Sequence, residues 1–96
     1  MFVRVVRFAD VSAERMDGLE ARIDESDGPP PGVNATELKV LFDADQGTAV
    51  VLQFFETAED MAAAEAVFDA MDPSDTPGTR TSVDRCETKL ERSMRA

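Results

Sequence analysis

The side chains of this chain that could do chemistry form a short set, because histidine, tyrosine and tryptophan do not occur in its 96 residues. Without histidine there can be no Ser-His-Asp triad, no Cys-His pair, no HExxH zinc site and no His-ligated haem. What remains is arginine, carboxylates, hydroxyls, the amides Asn34, Gln46 and Gln53, and one thiol, Cys86. Arg4 and Arg7 lie inside an apolar run. A planar guanidinium there could hold an anionic ligand group bidentately, or pair with an acid such as Glu87. Gln53 interrupts a second apolar run, where it could orient a carbonyl or hydroxyl, or bond at an interface or barrel rim. Asn34 follows Pro31-Gly32-Val33 and also suits a turn or the entry to a strand. Arg85 and Glu87 share parity on one segment, so they could bracket a ligand or join in an ion pair. Cys86 has the opposite parity and is expected to be a structural thiol facing the helix side of the core. With twenty Asp and Glu residues, no pair of carboxylates stands out as a general acid and base. Asp43-Ala44-Asp45-Gln46-Gly47 starts like a calcium loop, but its Gly comes one step early and Phe54 stands where the closing Glu belongs. No metal site and no cofactor are expected.

These residues must be placed by secondary structure, and the pattern for it is clear. Phe2 to Phe8 is β-branched and aromatic and reads as a strand. Asp10 or Ser12 can cap a helix whose stripe is Met16, Leu19 and Ile23. Ser26 to Gly32, with three successive prolines, ends it as a stiff loop. From Asn34 to Phe42 the chain alternates, with Thr36, Leu38, Val40 and Phe42 on one side and Glu37, Lys39 and Leu41 on the other. After the turn through Gly47, Thr48 to Phe55 is the strongest strand, and the two form a hairpin. Thr57-Ala-Glu-Asp60 resembles a capping box. The helix it opens has the stripe Met61, Ala64, Val67, Phe68 and Met71 and ends at Asp72-Pro73. A loop over 74–78 leads to a weakly alternating polar strand over 80–90, and 92–96 is expected to fray. The order is β-α-β-β-α-β. Its halves echo each other, with Pro31-Gly32 matched by Pro77-Gly78. The predicted fold is α+β and ferredoxin-like: a four-stranded antiparallel sheet with two helices on one face, in a single domain spanning 1–96.

Composition narrows the partners. Ten Lys and Arg against twenty Asp and Glu give a net charge of −10, with an isoelectric point near 4.2. No basic cluster exists to neutralise phosphates or anionic lipids, so neither nucleic acid nor a membrane surface is expected. No run approaches the ~18 apolar residues of a membrane span. The N-terminus lacks a signal-peptide core, and a lone cysteine cannot form an internal disulfide, so a cytoplasmic location is expected.

Val50, Leu52 and Phe54 alternate with Ala49, Val51, Gln53 and Phe55, so the central strand is apolar on both faces. Helices on one side would leave the other face sticky, and a second copy of the chain is the expected cover. The opening Phe2-Val3-Arg4-Val5-Val6-Arg7-Phe8, the hairpin through Gly47, and Val50 to Phe55 followed by Thr57-Ala-Glu-Asp60 resemble the dimeric α/β-barrel superfamily. Within it the chain is similar to antibiotic-biosynthesis-monooxygenase-like domains over roughly residues 2–90. That resemblance implies a homodimer paired sheet to sheet, with a pocket between the sheet and helices of each copy. Family sets of Asn, Trp and His, or of Asn, Trp, Tyr and Arg, can be met here only by Asn and Arg. The reading is a small acidic homodimeric protein with space for a small apolar molecule, bound by Arg4, Arg7, Asn34, Gln53 and Arg85, with catalysis unsupported by the residues present. The alternative is a cofactor-independent monooxygenase acting on an aromatic polyketide-like substrate.

Overall fold

The computed structural model describes residues 1–26, 28, 32–70 and 77–94. Its elements run β1 (Phe2–Ala9), α1 (Ala13–Glu25), β2 (Glu37–Asp43), β3 (Thr48–Phe55), α2 (Ala58–Asp69) and β4 (Thr79–Glu87). The strands form one sheet in the order β2-β3-β1-β4, and every neighbouring pair is antiparallel. Because β3 is antiparallel to both β1 and β2, those two strands run parallel with β3 between them. This is the split βαβ arrangement of an α+β, ferredoxin-like βαββαβ fold.

Period-two alternation on β1 and β3 separates two sheet faces. Register places Phe2, Arg4, Val6 and Phe8 opposite Phe55, Gln53, Val51 and Ala49. Both helices cover this set. Met16 and Leu19 of α1 pack with Val6, Phe8, Val11, Ala49, Val40 and Val51. Met61, Ala64, Val67 and Phe68 of α2 pack with Phe55, Phe2, Val33 and Ala35. The core is therefore two apolar clusters side by side under two helices. Phe55 is fully buried, a placement that contributes about 2–3 kcal/mol for a ring of its size.

Helix starts follow the expected caps. Ser12 Oγ accepts from the Arg15 amide at 3.1 Å, and Thr57 Oγ1 accepts from the Asp60 amide at 3.0 Å. Asp60 does not complete a capping box; its carboxylate accepts from Asn34 Nδ2 at 3.2 Å instead. Asp10 is not the cap. It takes a left-handed backbone with φ of 56° in the turn between β1 and α1. Gly47, at φ +65°, accepts from the Val11 amide at 2.9 Å through its carbonyl, which ties the hairpin turn to that same segment.

Two boundaries differ from the sequence expectation. Strand β2 begins at Glu37 rather than Asn34, although the Thr36 amide already donates to the Phe54 carbonyl at 2.8 Å. Strand β4 ends at Glu87 rather than Leu90; the Thr88 amide donates to the Met1 carbonyl, and the chain then leaves the sheet. A bulge between Arg7 and Phe8 leaves Thr81 unpaired on β4. It brings Arg80 into register with Phe8, on the helix-covered face. The expected Met71, the Asp72-Pro73 stop, Pro29 to Pro31, the loop over 74–76 and the end of the tail lie outside the described residues. Residues 92–94 have no regular structure and are exposed.

Candidate functional site

Between the two apolar clusters lies a polar interruption. Arg4 on β1 and Gln53 on β3 are register partners on the helix-covered face. Arg4 is 3% exposed and Gln53 9%. Arg4 Nη1 donates to Gln53 Oε1 at 3.0 Å. The Nε–H of Arg4 is buried with no acceptor. Its guanidinium carbon sits 5.0 Å from the centroid of the Phe68 ring of α2, in cation–π contact. Among the described residues no carboxylate forms an ion pair with Arg4.

A buried guanidinium without a counterion is costly, since desolvation of a charge must be offset by partners. The electrostatics reflect it. Burial pushes the Arg4 guanidinium below its usual range, and the charge of Arg80 pushes the same way. Asp69 opposes them, and Arg85 adds a further lowering. Arg4, Arg80 and Arg85 thus gather on one side of β1 and β4 in a chain whose net charge is −10. The site offers positive charge, directed N–H groups, and apolar walls on both sides.

The other proposed site residues do not converge on it. Arg7 has the opposite parity and lies on the uncovered sheet face, where Nη1 meets Asp84 Oδ2 at 3.2 Å with both side chains about half exposed. Its acid partner is Asp84, three positions before the expected Glu87 and on the opposite face of β4. Asn34 is exposed and committed to Asp60 at the start of α2. Arg85 shares the helix-covered side with Arg4, but it pairs with Glu65 of α2 rather than bracketing a ligand with Glu87. Glu87 pairs with Lys89. Cys86 is exposed and faces the uncovered side, opposite Val3, so its expected place in the helix-side core is corrected. The bulge at Thr81 does not reach it. The parity reading assigned Cys86 opposite to Arg85 correctly but took the wrong face as core.

Phe68, Arg80 and Glu65 were not singled out by residue type. Phe68 read as part of a core stripe, which it is, and only the packing shows its ring over Arg4. Arg80 needed the bulge to bring it to this face. Neither Arg80 nor Glu65 has a local sequence signal.

The uncovered face is the second feature. Val3 and Val5 of β1 and Val50, Leu52 and Phe54 of β3 occupy its middle, all half-buried with no helix above them. Leu41 of β2 extends it and is 52% exposed. Lys39 lies over the Phe54 ring at 5.7 Å and pairs with Glu37. The charges that border this apolar middle, Lys39 over Phe54 and Arg7 beside Val50, are each paired with an acid.

No group of three or more metal-ligating side chains occurs among the described residues, and no helix there is long and apolar enough to cross a membrane. Set against known proteins, the chain matches no family model, no curated protein and no solved structure.

Proposed function

We infer that the chain acts as a homodimer that binds a small, largely apolar molecule between its sheet and helices. The assembly stacks two uncovered sheet faces into a dimeric α/β barrel. The observation that carries this reading is the apolar middle of that face, Val3, Val5, Val50, Leu52 and Phe54, whose neighbouring charges are joined in ion pairs. Exposed contiguous apolar surface of this kind marks an interaction site. Size supports a second copy as the cover. Strands of eight residues at about 3.4 Å each, four abreast at about 4.8 Å, give a flat face of roughly 500 Å². Two such faces bury about 1,000 Å² between them, the lower bound for a specific interface. Each face also carries both signs, Arg7 paired with Asp84 and Lys39 with Glu37, with Asp43 at the hairpin end held by its own turn, so most of the charge a two-fold contact meets is already paired. Sedimentation equilibrium tests it. The wild type should sediment at twice the 10.5 kDa chain mass, and Leu52→Glu should sediment as a folded monomer. A wild-type monomer at tens of micromolar removes the assembly.

A cofactor-independent oxygenase acting on an aromatic polyketide-like substrate is the second reading. The Arg4–Gln53 pair favours it, because buried donors in apolar surroundings stabilise a substrate anion. Asn34 would take no part, being tied to Asp60 at the start of α2. Oxygen uptake with an anthrone-like phenol separates the readings: uptake supports the oxygenase, and its absence leaves the binding protein.

A further inference from the structure

We propose that Arg4 is the anchor for a carboxylate, and that the small molecule held between sheet and helices is an apolar acid. The proposal rests on the small-molecule-binding reading above and names its ligand class.

The observation is the state of the guanidinium. One of its edges is used: Nη1 donates to Gln53 Oε1 at 3.0 Å. The other edge carries Nε and Nη2 side by side. Nε is buried without an acceptor, and no hydrogen bond among the described residues uses Nη2. That free edge presents two parallel N–H groups, the arrangement a carboxylate accepts bidentately. A neutral carbonyl would satisfy one donor and leave the charge uncompensated. A carboxylate satisfies both and supplies the counterion that no described residue provides.

Gln53 has a second effect. By accepting at Nη1 it fixes the plane of the guanidinium, and the Phe68 ring at 5.0 Å covers one side of that plane. The free edge is therefore oriented before a ligand arrives, which lowers the ordering cost of binding. The surroundings set the rest of the molecule. Val6 and Val51 flank the pair on the α1 side, and Phe2 and Phe55 flank it on the α2 side. Such walls suit an alkyl or aryl body and leave a phosphate with too few donors. Arg80 on the neighbouring strand adds a field that favours an anion, while Arg85 is already paired with Glu65 and Asp69 opposes both.

The test reads Arg4 directly. Arginine Nε–H groups give resolved signals in proton–nitrogen correlation spectra at mildly acidic pH, kept above the pKa of the added carboxylates, and low temperature, and the Arg4 signal is identified by its loss in Arg4→Lys. Octanoate and benzoate are titrated into the full chain, with octanol, benzamide and inorganic phosphate in parallel. The expected result is a saturable shift of the Arg4 Nε–H signal with a carboxylate, and none with the neutral isosteres or phosphate. Arg4→Lys keeps the charge but loses the planar fork, and calorimetry should show its carboxylate affinity reduced at least tenfold. No shift with either carboxylate, or an equal shift with octanol or benzamide, overturns the proposal. So does a shift with phosphate alone. Sedimentation of the same sample separates this from the assembly: a shift in a monomer supports the anion site and removes only the dimer, and no shift in a dimer overturns the anion site alone.

Discussion

Arg4 and Gln53 face each other across β1 and β3, joined by one hydrogen bond of 3.0 Å at the boundary between two apolar clusters. The pair satisfies only part of the guanidinium, and its Nε–H is buried without an acceptor. Such an arrangement weakens the folded state. Replacing it by apolar side chains of similar volume should therefore stabilise the protein. Arg4→Met combined with Gln53→Leu should raise the unfolding free energy by roughly 1–3 kcal/mol, read as a higher urea midpoint at unchanged slope. Arg4→Met alone should gain less, because it strands the Gln53 amide. A fall in stability for the double variant would mean that the guanidinium is better satisfied than its neighbours indicate.

How much of this was legible in the sequence depends on the range of the interaction. Alternation in Thr48 to Phe55 and the helical stripes are local, so the order of strands and helices along the chain follows from them. Arg4 and Gln53 were each visible as polar residues in apolar runs, but their pairing depends on the β1–β3 register, which joins residues 49 positions apart. Arg7 looked equivalent to Arg4. Its spacing of three puts it on the other sheet face, and only the helices decide which face is covered. Cys86 was misplaced for the same reason. Asn34 looked available because nothing local indicates that Asp60 turns away from its capping box to receive it.

The sheet-stacked dimer makes stability depend on concentration. Anything that binds only the folded state raises its apparent stability by mass action, and a second copy is such a partner. The melting temperature of the wild type should therefore rise by several degrees between one and one hundred micromolar. Leu52→Glu should melt at one temperature throughout that range. A wild type without this dependence at concentrations spanning its dissociation would contradict sheet-to-sheet assembly.

Asp43 closes the β2–β3 turn. Its carboxylate accepts from Gln46 Nε2 at 2.7 Å and from the amides of Asp45 and Gln46 at 3.1 and 3.2 Å. The Gln46 side chain leads in holding its pKa below the ordinary value, followed by the Gln46 amide; slight burial opposes them, and the Asp45 amide adds the least. A carboxylate with a lowered folded pKa stabilises at pH above the unfolded value of about 3.9, and that contribution is lost as pH falls through the folded value. The amide signals of Asp45 and Gln46 should move with a midpoint below 3.9 or so. Asp43→Ala should abolish that titration and flatten the corresponding part of the acid stability profile. A midpoint above the ordinary value would reverse the assignment.

Two glycines should respond to alanine with opposite signs. At Gly78 an added Cβ would come 2.4 Å from the Ala9 carbonyl oxygen and 2.8 Å from Val11 Cγ2. The first of these is backbone, in the turn where Asp10 already adopts a positive φ, so it cannot swing aside as a flexible side chain would. Gly78→Ala should destabilise by at least about 2 kcal/mol, through overpacking that displaces the β1–α1 turn. Gly18 lies inside α1, with nothing within 4 Å of the new Cβ. There alanine restricts the unfolded chain and favours the helix, and Gly18→Ala should stabilise by roughly 0.5–1 kcal/mol. Urea titrations of both variants beside the wild type give the two shifts in midpoint. If Gly78→Ala left the midpoint unchanged, β4 would have to enter the sheet by another path, and the register that brings Arg80 beside Phe8, and so toward Arg4, would have to change with it.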